Sequence, residues 1–223
     1  MCGRFTLAGI TTDQIRDLFL IEDVPELGDR YNIAPGQPVA AVRFNRETCK
    51  REIAPLLWGL VPSWSREPAG ARMINARAET VHQKPAYRGP LRYRRCIIPA
   101  SGFYEWAGSN AGRQPFYVRR KDGGLLAFAG LWDRWISPDG SELETCAIIT
   151  TEASPFMRQL HDRMPVILEP TDFDAWLDPD SQKAEALLPL LRPTGGDVLE
   201  AWPVSRAVNN PANDSPDLIR PLR

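Results

Sequence analysis

The sequence predicts an α+β fold in a single domain. Strand-like segments outnumber helical ones, and most helical segments gather in the second half of the chain instead of alternating with strands. No Ser/Gly linker, low-complexity tract or internal repeat divides the 223 residues. We therefore expect one compact domain over residues 1–223, with an irregular tail from about residue 211.

In chain order, the first element is a helix. Thr11 to Gln14 have the spacing of a capping box, and Ile15, Leu18 and Phe19 then supply an apolar face. Together they predict a helix from about 12 to 20. Apolar and β-branched runs after it predict strands at 38–44, 52–61, 95–106, 115–120, 124–135, 143–150, 165–169 and 198–204.

Turn and cap signals separate these segments. Asp122-Gly123 is a strong hairpin signal between two of the strands, and the run from Ser137 to Gly140 marks a second turn. Ser154-Pro155 supplies an N-cap and a first helical position, which predicts a short helix ending near His161. Further helices are predicted from Thr171 and from near Ser181.

The charge is balanced overall but uneven along the chain. The net charge is only -1, which excludes a global basic field of the kind that attracts nucleic acid. Between residues 72 and 95, however, seven basic residues stand against one acid, whereas residues 160 to 200 hold nine acids and three bases. We therefore expect a molecule with one basic and one acidic face.

The termini and cysteines indicate the compartment. No signal peptide and no run of 18 apolar residues is present, so we expect a soluble cytoplasmic protein without a membrane partner. The four cysteines lie far apart, with no C-x-x-C and no pair of histidines at metal spacing, so we expect neither zinc nor another cofactor. Cys49, Cys96 and Cys146 lie in or beside apolar runs and suit a core.

Cys2, in the opening MCGRF, stands apart from the other cysteines. Removal of Met1 would leave an amine and a thiol on adjacent carbons, with reference pKa values of about 8 and about 8.5, so both would have usable nucleophilic fractions. An amine and a thiol so placed convert an aldehyde first to a Schiff base and then to a five-membered thiazolidine. A retained Met1 would block this chemistry. The alternative is a cysteine without function at a frayed terminus.

Two residues could move protons. Glu105 lies among aromatic residues in GFYEW, where desolvation would raise its pKa toward neutrality; the alternative is a strand-edge carboxylate that faces water. His161, one of two histidines, is a candidate proton shuttle, or else a residue that interacts with a helix dipole.

Polar and aromatic residues suggest a nucleic-acid contact. Asn75 and Arg77 share one face if their segment is extended, and an amide beside a guanidinium suits a sugar hydroxyl or a phosphate. Trp64 could stack on bases. Trp58, in an apolar run, is expected in the core.

Seven segments, taken in order, resemble the SRAP family, the SOS-response-associated peptidases. They are MCGRF, RYNIAP from Arg30, WG from Trp58, INARAE from Ile74, GFYEW from Gly102, HDRMP from His161 and PVS from Pro203. The resemblance implies a single compact α+β domain with a strand-rich, barrel-like core and a positively charged groove. It also implies capture of abasic sites in single-stranded DNA through a thiazolidine at Cys2, which shields the lesion.

The resemblance also implies individual roles. Cys2 would be the nucleophile, Glu105 the acid and base for sugar ring opening, His161 a second proton-transfer group, and Asn75 an orienter of the sugar. Arg4 and Arg77 would hold phosphates, and Trp64 and Thr150 would line the DNA site.

Two other functions stay open. One is a thiol peptidase that removes its own leader, here only Met1. The other is a non-covalent binder of single-stranded or modified DNA. As partner we expect single-stranded DNA with abasic sites and no membrane, and we expect the protein to be a monomer.

Overall fold

The computed structural model describes residues 2–67, 73–108 and 112–222. The strands in these ranges are β1 (Phe5–Leu7), β2 (Arg30–Ile33), β3 (Pro38–Asn45), β4 (Lys50–Trp58), β5 (Asn75–Arg77), β6 (Arg95–Ala100), β7 (Gly102–Ala107), β8 (Gln114–Arg120), β9 (Leu126–Ile136), β10 (Glu142–Glu152), β11 (Arg163–Pro165) and β12 (Leu199–Pro203). The α-helices of the same ranges are α1 (Thr12–Phe19), α2 (Pro85–Tyr93), α3 (Phe173–Leu177) and α4 (Ala184–Leu187). The predicted α+β class is confirmed.

A closed five-stranded barrel lies at the centre of the fold. Its strands follow the order β10, β4, β3, β6 and β9, and β9 pairs with β10 to close the ring. β10 also pairs with the two short strands β5 and β11. Because these pairings lie on its last residues, from Ile148 to Glu152, β10 holds both short strands at one end of the barrel.

A second sheet, in the order β12, β8, β7, β1 and β2, packs against the barrel through aromatic rings. The ring of Phe5 in β1 lies 5.2 Å from the Trp58 ring and 5.9 Å from the Phe128 ring, both in barrel strands. All three side chains are fully buried, and Cys2 belongs to the same apolar cluster. The N-terminal residues are thereby fixed between the sheet and the barrel.

Several predicted elements are confirmed. The helix predicted at 12–20 is α1, and both bonds of its capping box form between Thr11 and Gln14. The turn after Ser137 joins β9 to β10 as an antiparallel hairpin. The late helices occur as α3 and α4, with a 3-10 turn at Pro170–Asp172 before α3. Trp58 is fully buried, as expected, and its indole N–H donates to the Ile74 carbonyl at 3.0 Å.

Other predicted elements are wrong. Gly123 does lie in a turn, with φ of 72°, but the strands on either side belong to different sheets, so no hairpin forms. The strand predicted at 95–106 is divided at Ser101 into β6 of the barrel and β7 of the sheet. The strand predicted at 165–169 is β11, which ends at Pro165, and the helix predicted at 154–161 is only a 3-10 turn, Met157–Gln159.

The chain ends in an extended segment that we call the C-terminal strap, residues 204–222. It contains two 3-10 turns, Arg206–Asn209 and Pro216–Ile219. Val208 and Leu218 are buried against Tyr104 and Tyr117 of the second sheet. The strap is therefore packed onto the sheet that carries β1 and β7.

The basic block is less uniform than its sequence indicates. Arg95 is buried and donates to the backbone carbonyls of Leu91, Arg92, Trp176 and Asp178, so it belongs to the interior and not to a basic face. Arg94 pairs with Asp133 at 3.0 Å. Arg72 lies outside the described residues. The four remaining basic side chains are exposed, namely Arg77, Lys84, Arg88 and Arg92.

The structure also bears on membrane association. None of the helices in the described ranges is long and apolar enough to cross a bilayer.

Candidate active site and nucleic-acid interface

Cys2 lies in the interior just before β1, at a buried position that we call the Cys2 pocket. Its side chain is fully buried, and its backbone carbonyl accepts a hydrogen bond of 2.8 Å from the Asn75 amide Nδ2. Asn75 begins β5, which is paired in register with Ile148 of β10. The Asn75 backbone carbonyl in turn accepts from the Tyr87 hydroxyl at 3.0 Å. The barrel and α2 therefore both position the amide that holds Cys2.

Glu105 faces this pocket from β7. Antiparallel pairing aligns Phe5 with Phe103, and the Tyr104 N–H donates to the Arg4 carbonyl at 3.0 Å, so β7 runs alongside the N-terminal residues. Only 3% of Glu105 is exposed, and this burial raises the pKa of its carboxyl to about 7. The predicted desolvation is confirmed. A carboxyl with such a pKa can give or take a proton at neutral pH.

The Cys2 thiol is less acidic than the sequence suggests. Burial, and to a lesser degree the negative charge of Glu105, raise its pKa to about 12. The thiol is therefore protonated at neutral pH in the chain that keeps Met1, and the usable thiolate fraction expected after removal of Met1 stays a prediction. The effect of the Glu105 charge on this thiol also indicates that the two groups lie close together.

His161 follows the 3-10 turn and is held by its neighbours. Its Nδ1 accepts the Arg163 backbone N–H at 2.9 Å and lies 2.8 Å from the Asp162 carboxylate. Burial lowers the pKa of the imidazole, so the ring is neutral near pH 7. One nitrogen cannot accept from the backbone and donate to a carboxylate at once. Since the Asp162 side chain is 85% exposed, we assign the backbone bond to Nδ1 and the proton to Nε2.

Arg113 lies near both proton-transfer candidates. Its positive charge lowers the pKa of the Glu105 carboxyl and that of the His161 imidazole, in each case as a smaller effect beside burial. The two candidates therefore share one electrostatic environment. Arg113 itself is exposed at the edge of β8.

Arg77 and Thr150 lie side by side at the barrel end. Their backbones are paired in register between β5 and β10, but Arg77 is exposed whereas Thr150 is fully buried. The Thr150 carbonyl accepts from Arg163 Nη2 at 2.7 Å, and Arg163 also forms two hydrogen bonds with the Glu79 carboxylate. Arg77 can reach a ligand in solvent. Thr150 can meet one only within the pocket, and its DNA contact stays a prediction.

The Arg4 side chain is held by hydrogen bonds, whereas the Trp64 side chain is exposed to solvent. Arg4 Nη1 donates to Asn32 Oδ1 at 2.7 Å and to the Val208 carbonyl of the C-terminal strap at 2.6 Å. Trp64 lies in a turn and is 66% exposed, which is unusual for an indole. An exposed ring of this kind is available for stacking on bases.

The family follows from a comparison with known proteins. The family model described as SOS response associated peptidase (SRAP) matches residues 1–211. The chain belongs to the SRAP family. Its resemblance to that family, inferred from seven short segments, is confirmed.

Relatives of this SRAP chain carry a common name. This chain is 42% identical over 223 residues to the abasic site processing protein YoqW of Bacillus subtilis, and the match covers 98% of this chain and 99% of that one. It is 33% identical to the abasic site processing protein HMCES of Gallus gallus, covering 81% of this chain and 61% of that one. Both names concern the same DNA lesion.

Solved structures share the fold along the whole chain. A crystal structure of a protein from Bacteroides thetaiotaomicron matches with a TM-score of 0.87 and 25% identity, covering 100% of each chain. One from Bordetella bronchiseptica matches with a TM-score of 0.78 and 28% identity, covering 92% of this chain and 100% of the other.

Sequence reasoning missed several residues around this SRAP site. Tyr87, Asn32 and Arg113 contact or influence the predicted residues, but each reaches them through tertiary contacts that spacing along the chain cannot show. One feature of the sequence could have identified Asn32, namely its position in the RYNIAP segment. Among the described residues, no group of three or more His, Cys, Asp or Glu is placed to hold a metal ion.

Proposed function

We propose that this protein processes abasic sites by capturing them in single-stranded DNA. The capture is a covalent thiazolidine crosslink to Cys2, formed after removal of Met1, and the crosslink shields the lesion. The observation that carries the proposal is the burial of Cys2, with Asn75 bonded to its carbonyl and Glu105 close enough to raise the pKa of its thiol. The names of the SRAP relatives support the choice of lesion.

The first step forms a Schiff base. Removal of Met1 turns the amide nitrogen of Cys2 into a free amine, which attacks the aldehyde carbon of the opened abasic sugar. Ring opening needs a proton on the ring oxygen, and Glu105, with a pKa of about 7, has a protonated fraction to give. The carbinolamine then loses one water to give the carbon–nitrogen double bond.

The second step closes the thiazolidine. The Cys2 sulfur adds to the same carbon, the carbon–nitrogen double bond becomes a single bond, and the thiol proton is transferred to the nitrogen. Because the thiol pKa is about 12, the sulfur needs a base at neutral pH. The Glu105 carboxylate left after ring opening is that base. One residue therefore acts first as acid and then as base.

The remaining residues position the substrate. Neutral His161, with its proton on Nε2, can donate a hydrogen bond to a sugar or leaving oxygen. Asn75 holds the Cys2 carbonyl, and its Oδ1 is buried with no partner among the described residues, which leaves an acceptor for a sugar hydroxyl. Arg4 and Arg77 would bind phosphates, Trp64 would stack on a base, and Thr150 would line the pocket.

Two further activities follow from the same intermediates. A Schiff base that eliminates the 3′ phosphate before ring closure gives strand cleavage, which is lyase activity. The Cys2 thiol could also act in removal of Met1, the peptidase activity that the family description names. Both would depend on the N-terminal residue, as the crosslink does.

A denaturing gel tests the proposal. Protein without Met1 is incubated with a single-stranded oligonucleotide that carries one abasic site, with an undamaged oligonucleotide as control. We expect a heat-stable adduct for wild type with the damaged strand alone. Cys2→Ala keeps the amine but lacks the sulfur, so we expect only an adduct that heating reverses and borohydride traps.

Two results would contradict the covalent mechanism. One is wild type that lacks Met1, binds the strand and gives no heat-stable adduct, which would leave non-covalent binding as the function. The other is a Cys2→Ala variant that forms as much stable adduct as wild type. A cleaved strand on the same gel would reveal the lyase activity.

A further inference from the structure

The guanidinium of Arg4 is held by one of its three nitrogens. Nη1 makes two hydrogen bonds, 2.7 Å to Asn32 Oδ1 and 2.6 Å to the Val208 carbonyl. Nε is buried and has no hydrogen-bond partner among the described residues, whereas Nη2 is not enclosed and makes no hydrogen bond to them either. A buried arginine donor without a partner is unusual in a folded protein.

The two nitrogens left over lie on one edge of the planar fork. Nε and Nη2 together form the edge that binds a phosphate or carboxylate through two parallel hydrogen bonds. The contacts of Nη1 therefore do more than bury Arg4. They fix which edge of the guanidinium stays available for a ligand.

Asn32 connects this arrangement to the C-terminal strap. It is 1% exposed, and its Nδ2 donates to the carbonyls of Val208, Asn210 and Asn213 at 3.3, 3.0 and 2.7 Å. Its Oδ1 is the acceptor for Arg4. The Asn32 side chain thus bonds both to Arg4 and to the strap. The same strap segment bonds to Arg4 through the Val208 carbonyl.

The strap is fastened at two further positions, both after Val208 in the chain. The Trp106 indole N–H donates to Asn209 Oδ1 at 2.8 Å, and the Trp202 indole N–H donates to the Ile219 carbonyl at 2.8 Å. The ring of Trp106 also lies 6.0 Å from Arg4 Cζ. These contacts keep Val208 at the guanidinium.

We propose that Asn32 is a positioning residue for Arg4, and that together with the C-terminal strap it turns Nη2, the donor of the Nε–Nη2 edge that is not enclosed, toward a backbone phosphate of the bound strand. This inference rests on the proposed function, because it takes a DNA phosphate as the ligand. It assigns to Asn32 and to the strap a part in DNA binding that acts through Arg4.

A double-mutant cycle tests the proposal. The dissociation constant of an undamaged single-stranded oligonucleotide is measured against salt for wild type, Arg4→Ala, Asn32→Ala and the double variant. We expect Arg4→Ala to bind about tenfold more weakly, with a salt slope smaller by about 1. Asn32→Ala should lose a similar factor, and in the Arg4→Ala background it should have no further effect.

Arg4→Lys provides a second test that leaves Asn32 in place. A lysine ammonium held by Asn32 and Val208 has no second edge to offer, so we expect binding as weak as that of Arg4→Ala although the charge is kept. Thr145→Val is a matched control, because it removes a buried hydroxyl from the barrel that accepts the Val61 N–H. It should lower the free energy of unfolding and leave DNA affinity unchanged.

The outcomes separate the two proposals. Multiplicative losses for Asn32→Ala and Arg4→Ala, or full affinity for Arg4→Lys, would overturn the positioning role while leaving the proposed function intact. Wild type that binds no single strand at all would contradict the proposed function itself. Because the oligonucleotide is undamaged, neither result depends on crosslinking chemistry.

Discussion

Replacing Glu105 by Gln should stabilise the protein at alkaline pH while impairing its chemistry. The carboxyl has a pKa of about 7 in the folded state, raised from 4.5 chiefly by burial. The folded state therefore binds more protons than the unfolded state between these values, so stability falls as the pH rises through this range. At about 1.36 kcal/mol per pKa unit, the loss amounts to about 3 kcal/mol above pH 8.

Glutamine resembles the neutral acid and does not ionise, so its variant escapes this loss. We expect the free energy of unfolding of Glu105→Gln to match that of wild type near pH 4.5 and to exceed it by up to about 3 kcal/mol at pH 8. The assay is urea unfolding followed by tryptophan fluorescence, since the chain has seven tryptophans. The crosslinking rate of the same variant should fall at every pH, because no group replaces the acid and base.

An exposed glutamate supplies the control. Glu47 lies on the surface between β3 and β4, and Glu47→Gln should change stability by less than about 0.5 kcal/mol at both pH values. A difference between Glu105→Gln and wild type that stays constant from pH 4.5 to 8 would refute the argument. It would mean that Glu105 is ionised in the fold as readily as in the unfolded chain.

Three further variants test other parts of the account. Arg95→Ala should lower the free energy of unfolding by about 3 kcal/mol, because it leaves buried carbonyls unpaired. Exposed Arg92→Ala on the preceding helix α2 should cost under about 0.5 kcal/mol, and equal losses in urea would contradict the structural role of Arg95. Asn75→Ala should slow single-turnover crosslinking more than it weakens binding of undamaged DNA, and an unchanged rate would remove Asn75 from the site. Trp64→Ala should unfold at the same temperature as wild type but bind single strands about tenfold more weakly, whereas Ile136→Ala, at a similarly exposed side chain, should bind as wild type does. Equal affinities of Trp64→Ala and wild type in fluorescence anisotropy would exclude stacking.

Local patterns predicted the elements whose signals are local. The capping box at Thr11 and the turn after Ser137 act within a few residues, and both are confirmed. α2 escaped prediction because Pro85, Gly89 and Pro90 lie within nine residues. Pro85 is tolerated at the first helical position, but Pro90 inside the helix is a feature that sequence rules read as a break.

The division of the fold into sheet and barrel could not be predicted. Apolar residues on both sides of Ser101 predict one strand over residues 95–106, although Gly102 begins a strand of the other sheet. Gly102 is needed there because a Cβ would lie 2.4 Å from the Tyr117 ring. The burial of Arg95 was equally hidden, since the carbonyls that accept its hydrogen bonds come from the ends of two separate helices.

The residues of the site could be predicted from the sequence, but the protonation of the Cys2 thiol could not. Cys2, Asn75 and Glu105 were identified by chemistry and family resemblance, and the structure brings them together. The high thiol pKa depends on complete burial between two sheets, which no N-terminal sequence indicates. The support of Arg4 by Asn32 and the strap joins residues that are far apart in the chain.

The intact mass of the crosslinked species tests the central claim most directly. The account predicts the mass of the protein without Met1 plus that of the abasic oligonucleotide minus one water, with no change on treatment with borohydride, because a thiazolidine has no carbon–nitrogen double bond to reduce. A gain of two hydrogens would show an open Schiff base instead. That result, or the absence of any adduct from protein that lacks Met1, would contradict thiazolidine formation at Cys2.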